Sequence, residues 1–349
     1  MGMTTADRPR ISIIVPCRNE ARYIAACLES ILATDYPADR LEVLVADGRS
    51  DDGTREVVAD IARRDHRVRL LDNAQRITPT ALNTAIRAAS GDIIVRMDAH
   101  VVYPRTYLTR LVSALEETGA DNVGGVLATL PADDSPMAHA IALGLSHRFG
   151  VGNSYFRVGA PERRWVDTVA FGCYRRDVFE RIGLFDEELV RNQDDEFNAR
   201  LIKHGGRILL EPTVVAQYYG RRSLRHLARM FFQYGLFKPL VARKVGRVMT
   251  VRQLIPALLV LGLAGSALLA PWVPGAGLLF AALASVYLVA VVANAMRSAR
   301  SIGPKGAALM ALVFPTLHFS YGVGFLAGIA RTLRASRARS GGTALLLSR

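Results

Sequence analysis

The sequence predicts an α/β domain, a mostly parallel sheet with helices on both faces, followed by C-terminal membrane helices. Two observations carry this. Short β-branched runs alternate with helical stretches in the first part of the chain, and charge segregates along its length. Before Tyr218 there are 27 Lys and Arg against 31 Asp and Glu, a net −4; from Tyr218 onward there are 17 basic residues and no acid. The overall charge of +13 is therefore not spread as an even basic face for nucleic acid. It fits a soluble domain followed by a basic, apolar membrane region.

Ile11 to Val15 is β-branched and nearly continuous, the pattern of a strand buried on both faces. Pro16 is expected to end it, with Cys17 to Glu20 as a loop and a helix from Ala21 to about Ala33. Leu41 to Val45 is a second strand, closed by the turn Asp47-Gly48-Arg49-Ser50-Asp51-Asp52-Gly53-Thr54, where a helix to Arg64 begins. Val68 to Leu71, a helix over 79–89, and the strand Gly91 to Val95 continue the alternation. Such alternation means right-handed βαβ units, whose ligands bind at the carboxyl ends of the strands. Pro16 to Glu20, Asp47 to Ser50 and Asp98 to His100 all fall there.

The fourth strand runs into Arg96-Met97-Asp98-Ala99-His100. In an extended strand, Asp98 and His100 share one face and could aim at a single ion or phosphate. Alone, they suit a polar strand end with nothing bound equally well, and Asp47 to Thr54 alone suits a solvated turn capping a helix. No Gly-x-Gly-x-x-Gly follows the first strand and no Lys-Ser/Thr phosphate loop is present, which removes the main device of dinucleotide and P-loop enzymes. Three cysteines, Cys17, Cys27 and Cys173, argue against a disulfide frame and fit a reducing compartment. The first ten residues show no apolar signal-peptide core.

Taken in order, Pro16-Cys17-Arg18-Asn19-Glu20, then Asp47 to Thr54, then Asp98-Ala99-His100 resemble the family 2 glycosyltransferases, over approximately residues 10–220. That resemblance implies a nucleotide-diphospho-sugar transferase fold. It places Pro16, Arg18, Asn19 and Glu20 on the nucleotide, Asp47, Gly48 and Ser50 at the base, and Arg76 at a basic position of the same pocket. Asp98 would contact the sugar nucleotide and the divalent ion, manganese or magnesium, that bridges its diphosphate. The family's second carboxylate is His100 here. Imidazole is compatible with manganese, so His100 is a metal ligand, or it contacts phosphate directly, or metal binding is weakened. The substitution resembles bacterial exopolysaccharide glucosyltransferases of the succinoglycan-assembly type, which implies UDP-glucose as donor.

Further on, Gly150 to Ser154 suggests a loop near the acceptor, and Phe185 suggests core packing. Gln193-Asp194-Asp195-Glu196, six residues before Arg200-Leu201, aligns Asp194 with the family's catalytic base, Gln193 replacing a Glu. Burial beside like charge raises a carboxylate pKa, which suits a base. A helix N-terminus also favours acids through its dipole, which accounts for Asp195 and Glu196. A strand over 207–210 and a turn at Glu211-Pro212 come next. Tyr218 and Tyr219 stand where many relatives carry a His, and Arg221 and Arg222 could clamp the leaving diphosphate or meet lipid headgroups. The Gln-x-x-Arg-Trp of processive synthases is absent, so single-sugar addition is expected.

Residues 223–249 mix Arg and Lys with Leu, Met and Phe, the composition of an interfacial helix pair on an anionic leaflet. Leu254 to Trp272 and Gly277 to Met296 are each long enough to span a bilayer. The positive-inside rule puts the catalytic domain in the cytosol. Ala307 to Ala330, interrupted by Pro315 and several small residues, is expected to re-enter as a hairpin or to span. The domains expected are 1–220 catalytic, 221–252 interfacial, 253–331 membrane and 332–349 a basic tail. The reading is an inverting transferase at the inner membrane, moving sugar to a polyprenyl-diphosphate-linked saccharide. A polyprenyl-phosphate glycosyltransferase and an inactive nucleotide-sugar-binding scaffold are the alternatives.

Overall fold

The computed structural model describes residues 8–246 and 250–340. They form two compact units, one of residues up to Thr129 with Ser154–Tyr219, the other of Leu130–Asn153 with the residues from Gly220 onward. The stretch 130–153, read from the sequence as part of the catalytic domain, thus packs with the apolar helices.

The chain runs β1 (Ile11–Cys17), α1 (Ile24–Leu32), β2 (Leu41–Asp47), α2 (Thr54–Arg64), β3 (Val68–Asp72), α3 (Thr78–Ala88), β4 (Ile93–Arg96), β5 (Val101–Val102), α4 (Tyr107–Thr118) and β6 (Asn122–Leu130). Then α5 (Pro136–Leu145) and α6 (Arg148–Val151) belong to the second unit, and α7 (Tyr155–Val158), β7 (Arg164–Trp165), β8 (Cys173–Arg175), α8 (Arg176–Ile182), α9 (Gln193–Lys203) and β9 (Ile208–Tyr219) return to the first. The sheet order is β3-β2-β1-β4-β8-β6-β9-β5, with β7 also on β9. The first four strands are parallel, as expected. Beyond them β8 is antiparallel to β4 and β6, and β5 and β7 are antiparallel to β9.

Strand periodicity explains the two layers. Ile11, Ile13 and Val15 of β1 pack with α1, α2 and α4, while Ile14 packs with α3, α8 and α9. In β4, Ile93 and Val95 join the first layer and Ile94 the second. Side chains two apart share a face, so Arg96 follows Ile94 toward the α9 side.

Two expectations about prolines are corrected. β1 passes through Pro16, whose partner is Ala46 on β2, because pairing with β4 has already stopped at Ile14↔Arg96. A missing N–H is tolerated where a strand has lost a neighbour. Glu211-Pro212 is not a turn but lies inside the 12-residue β9. It sits between the stretch paired with β7 and the stretch paired with β5. The Glu211 carboxylate accepts from Thr213 N and Oγ1 and pairs with Arg163.

In the second unit, α10 (Leu224–Val245) is one 22-residue helix rather than a pair, and Met249 lies outside the described residues. It is followed by α11 (Ile255–Leu269) and α12 (Ala276–Ser340). Gly303, at φ 71°, breaks α12, and Pro304 opens the next run in the first-turn position that suits proline. From there the helix passes Pro315 without a break, so the hairpin expected over 307–330 is not formed. Buried Met310, Val313, Phe314 and Leu317 pack on α5 and α10 and hold the helix across the proline. The loop expected at 150–154 begins inside α6, where His147 Nδ1 accepts from Phe149 N. Val251–Leu269, Ala276–Ser298 and Arg300–Arg334 are each long and apolar enough to cross a membrane.

Glycines set the crossing of α10 and α12, where a Cβ at Gly324 would collide with the Phe232 carbonyl and one at Gly235 with the Tyr321 carbonyl. Close approach of this kind is what small residues permit between apolar helices. Gly324→Leu should therefore lower stability by about 1–3 kcal/mol through overpacking. Gly265→Leu, at a position with nothing within 4 Å, should cost nothing. Thermal unfolding in detergent checks the difference.

Candidate active site

The two loops expected to hold a nucleotide are tied to each other. Asn19 donates its backbone N–H to Ser50 Oγ at 2.9 Å, and its own Oδ1 accepts from Asp51 N at 3.1 Å. Glu20 N donates to Thr54 Oγ1, and Ala21 N to Asp52. Arg18 lies across Gly48, its stem about where a Cβ would stand in tight contact, and donates to the Arg76 carbonyl. Asn19, Arg49 and Arg76 all adopt positive φ, at 57°, 54° and 60°. That conformation strains side chains and concentrates at functional loops.

Asp47, expected at the base, has no accessible surface. Its carboxylate accepts from Ser50 N and Oγ, from Arg55 Nη1 at 2.8 Å and from Cys17 Sγ. Burial alone would raise its pKa, but Ser50 and Arg55 more than offset this and hold it below the usual carboxylate range. A carboxylate whose lone pairs are spent this way shapes the loop that carries Ser50. Pro16 is half-buried, and Arg18 and Arg76 are exposed.

The stretch after β4 differs from expectation. The strand stops at Arg96, and residues 99–100 form a turn, because Asp98 N donates to the hydroxyl of buried Tyr103 at 2.7 Å. Asp98 and His100 consequently do not share a strand face. Asp98 is gripped by Arg96 through two bonds, Nε–Oδ1 at 2.8 Å and Nη2–Oδ2 at 3.1 Å. His100 turns to Glu20, Nδ1 to Oε1 at 3.1 Å, and its ring meets Tyr218 edge-on at 5.5 Å between centroids.

Arg96 also reaches Asp194, Nη1 to Oδ2 at 3.9 Å. Its side chain is only 8 % exposed. Burial disfavours its charge, but Asp98 and Asp194 together outweigh burial and hold its pKa above the ordinary arginine value. Asp194 stands at the N-terminal turn of α9, three residues before Phe197 and so on the same side of the helix. Phe197 is fully buried against Phe185, Tyr174 and Phe179, which confirms Phe185 as core. Arg200 locks the helix further, bonding Glu196 at 2.8 Å and the Leu184 carbonyl. Glu196 is thereby turned to a structural task, and Asp194 meets a cation in Arg96.

Arg96 is the residue that reading the sequence missed. Its signal was present: an arginine at a position whose strand neighbours are buried on both faces has to be neutralised by carboxylates. Arg221, half-buried, and Arg222, exposed, lie in the second unit.

Among the described residues, no three His, Cys, Asp or Glu side chains gather as a closed metal site. An ion that bridges a diphosphate needs only one or two protein ligands, the rest being phosphate oxygens and water. Arg96 uses one lone pair on each Asp98 oxygen and leaves the others, and His100, 23 % exposed, keeps Nε2. Each of the two therefore keeps a lone pair that suits a substrate-bridging divalent ion, whose remaining ligands would be phosphate oxygens and water.

Residues 12–183 match the glycosyl transferase family 2 domain. Over 260 residues the chain is 36 % identical to the succinoglycan biosynthesis protein ExoA of Rhizobium meliloti, covering 74 % of this chain and 77 % of that one. It is 31 % identical to a Methanococcus voltae dolichyl N-acetyl-glucosaminyl phosphate diacetamido-dideoxy-glucuronosyltransferase, over 67 % of this chain and 74 % of the relative. Among solved structures it resembles the mannosyltransferase PcManGT of Pyrobaculum calidifontis, in complex with GDP-mannose and Mn2+, at TM-score 0.58 and 24 % identity over 90 % of this chain and 88 % of that one. That likeness bears on the fold. With the family domain, the relatives and the fold in agreement, the chain belongs to the family 2 glycosyltransferases.

Proposed function

We propose that this enzyme transfers a single sugar, with inversion, from a nucleoside-diphospho-sugar to a lipid-linked saccharide at the cytosolic face of the inner membrane. The observation that carries the reading is Arg96, whose one guanidinium contacts both Asp98 and Asp194. A donor-side carboxylate and a base separated by nearly a hundred residues of sequence are thereby held at one place.

In this reading Asn19, Ser50 and Arg76 line the nucleotide, with Pro16, Arg18, Glu20 and Gly48 shaping the loop and Asp47 fixing it from beneath. Asp194 takes the proton of an acceptor hydroxyl. The acceptor oxygen bonds to the anomeric carbon from the face opposite the diphosphate. The bond from that carbon to the diphosphate oxygen breaks, and the nucleoside diphosphate leaves with the electron pair. Asp98 and His100 would hold manganese or magnesium, which when bound neutralises charge on the departing diphosphate. Arg221 and Arg222 add positive charge to the basic second unit, suited to lipid headgroups.

A lipid-linked saccharide as acceptor is supported by the likeness to a succinoglycan biosynthesis protein and to a transferase named for a dolichyl-linked sugar phosphate; UDP-glucose as donor and a polyprenyl diphosphate as the lipid carrier are our reading of the sequence resemblance. PcManGT, captured with a nucleotide sugar and Mn2+, supports the nucleotide and the ion. The three apolar spans and the basic α10, with no acid after Glu211, support a membrane-docked enzyme that meets its acceptor in the bilayer.

Asp194→Asn should lower kcat about 10²–10⁴-fold, the range of a lost general base. Donor binding should stay near wild type, as followed by nucleotide titration. Near-normal turnover would remove Asp194 from the base role. Arg96→Met, which leaves Asp98 and the part-exposed Asp194 without their cation, should destabilise the fold by about 1–3 kcal/mol. Chemical unfolding of the variant beside wild type measures it.

A further inference from the structure

We propose that Glu20 is a positioning residue that makes His100 a metal ligand, so that the two together replace the family's second carboxylate. This rests on the metal-assisted reading above. The geometry carries it. Glu20 Oε1 lies 3.1 Å from His100 Nδ1, and an ionised carboxylate can only accept. Nδ1 is therefore the nitrogen that donates to Glu20, which leaves Nε2 as the nitrogen available to an ion. Metal-binding histidines are commonly held this way, the second ring nitrogen donating to a carboxylate that fixes the tautomer and strengthens the ligand.

Both partners are themselves fixed. The Glu20 backbone N–H donates to Thr54 Oγ1 at 2.8 Å, and its carbonyl accepts from Tyr23 N and Ile24 N at the start of α1. Across the ring stands Tyr218, held by the β5–β9 register Val101↔Tyr218 and covered by Arg157. Because Glu20 sits in the first nucleotide loop, ion and nucleotide binding then share one support.

The test is Mn2+ affinity of the full-length protein in detergent with saturating UDP, read from the electron paramagnetic resonance signal of free Mn2+. Glu20→Ala should weaken Mn2+ binding about 10–100-fold. Glu20→Gln, whose amide oxygen still accepts from Nδ1, should lose distinctly less. In a His100→Ala background, Glu20→Ala should add no further loss, since a residue that acts through its neighbour is non-additive with it. Unchanged affinity in Glu20→Ala, or an equal loss with His100 already absent, overturns the proposal while leaving the metal reading intact. Should the alanine variant not fold, the Gln variant decides by the same comparison: its loss must vanish in the His100→Ala background. No Mn2+ binding by wild type would overturn the metal reading and this proposal together.

Discussion

The site depends on one buried guanidinium. Arg96 is placed by strand parity: it follows Ile94 to the side of the sheet covered by α9, where Asp194 waits at a helix N-terminus seated by Phe197. Desolvating an arginine is expensive unless carboxylates and hydrogen bonds surround it. Asp98 and Asp194 supply that compensation, and in doing so they are brought to a common centre. Neutralising Arg96 and bringing these two carboxylates together are thus one and the same arrangement.

Around that centre the scaffold is rigid and the loops are strained. Among the described residues, the non-glycine positions with positive φ are Asn19, Arg49, Arg76, Phe171 and Asn192. The first three lie in loops after β1, β2 and β3, Phe171 stands just before β8, and Asn192 caps α9. Each such conformation costs on the order of 1–3 kcal/mol and persists only where neighbours over-determine it. The cross-bonds between the Asn19 and Ser50 loops, and Arg96 N donating to the Gly172 carbonyl, are that over-determination. The sheet of apolar strands beneath provides the stability on which these loops can be held.

Much of this could be read from residue order. The runs at Ile11, Leu41 and Ile93 are strands because continuous β-branched sequence suits burial on two faces, and the motifs at their carboxyl ends marked the site. Asp194 was aligned by counting back from Arg200, which braces α9 through Glu196 and the Leu184 carbonyl. What escaped was set by tertiary contact. Nothing local shows that Tyr103 would draw Asp98 out of the strand, that Glu20 would meet His100 from 80 positions away, or that Asp47 would be sealed by Arg55. Pro212 reads as a turn, yet β9 absorbs it between two pairing partners. Pro315 reads as an interruption, yet the apolar packing of Phe314 and Leu317 carries the helix through.

The family, the fold and the apolar helices leave the acceptor as the centre of the account: sugar should end on a membrane lipid. The direct measurement presents membranes containing the enzyme with radiolabelled nucleotide sugars and manganese, then partitions the products between organic solvent and water. Label from UDP-glucose should enter an organic-soluble lipid-linked saccharide, with release of nucleoside diphosphate. Label recovered only in water, as free sugar or intact donor across all nucleotide sugars offered, would contradict it.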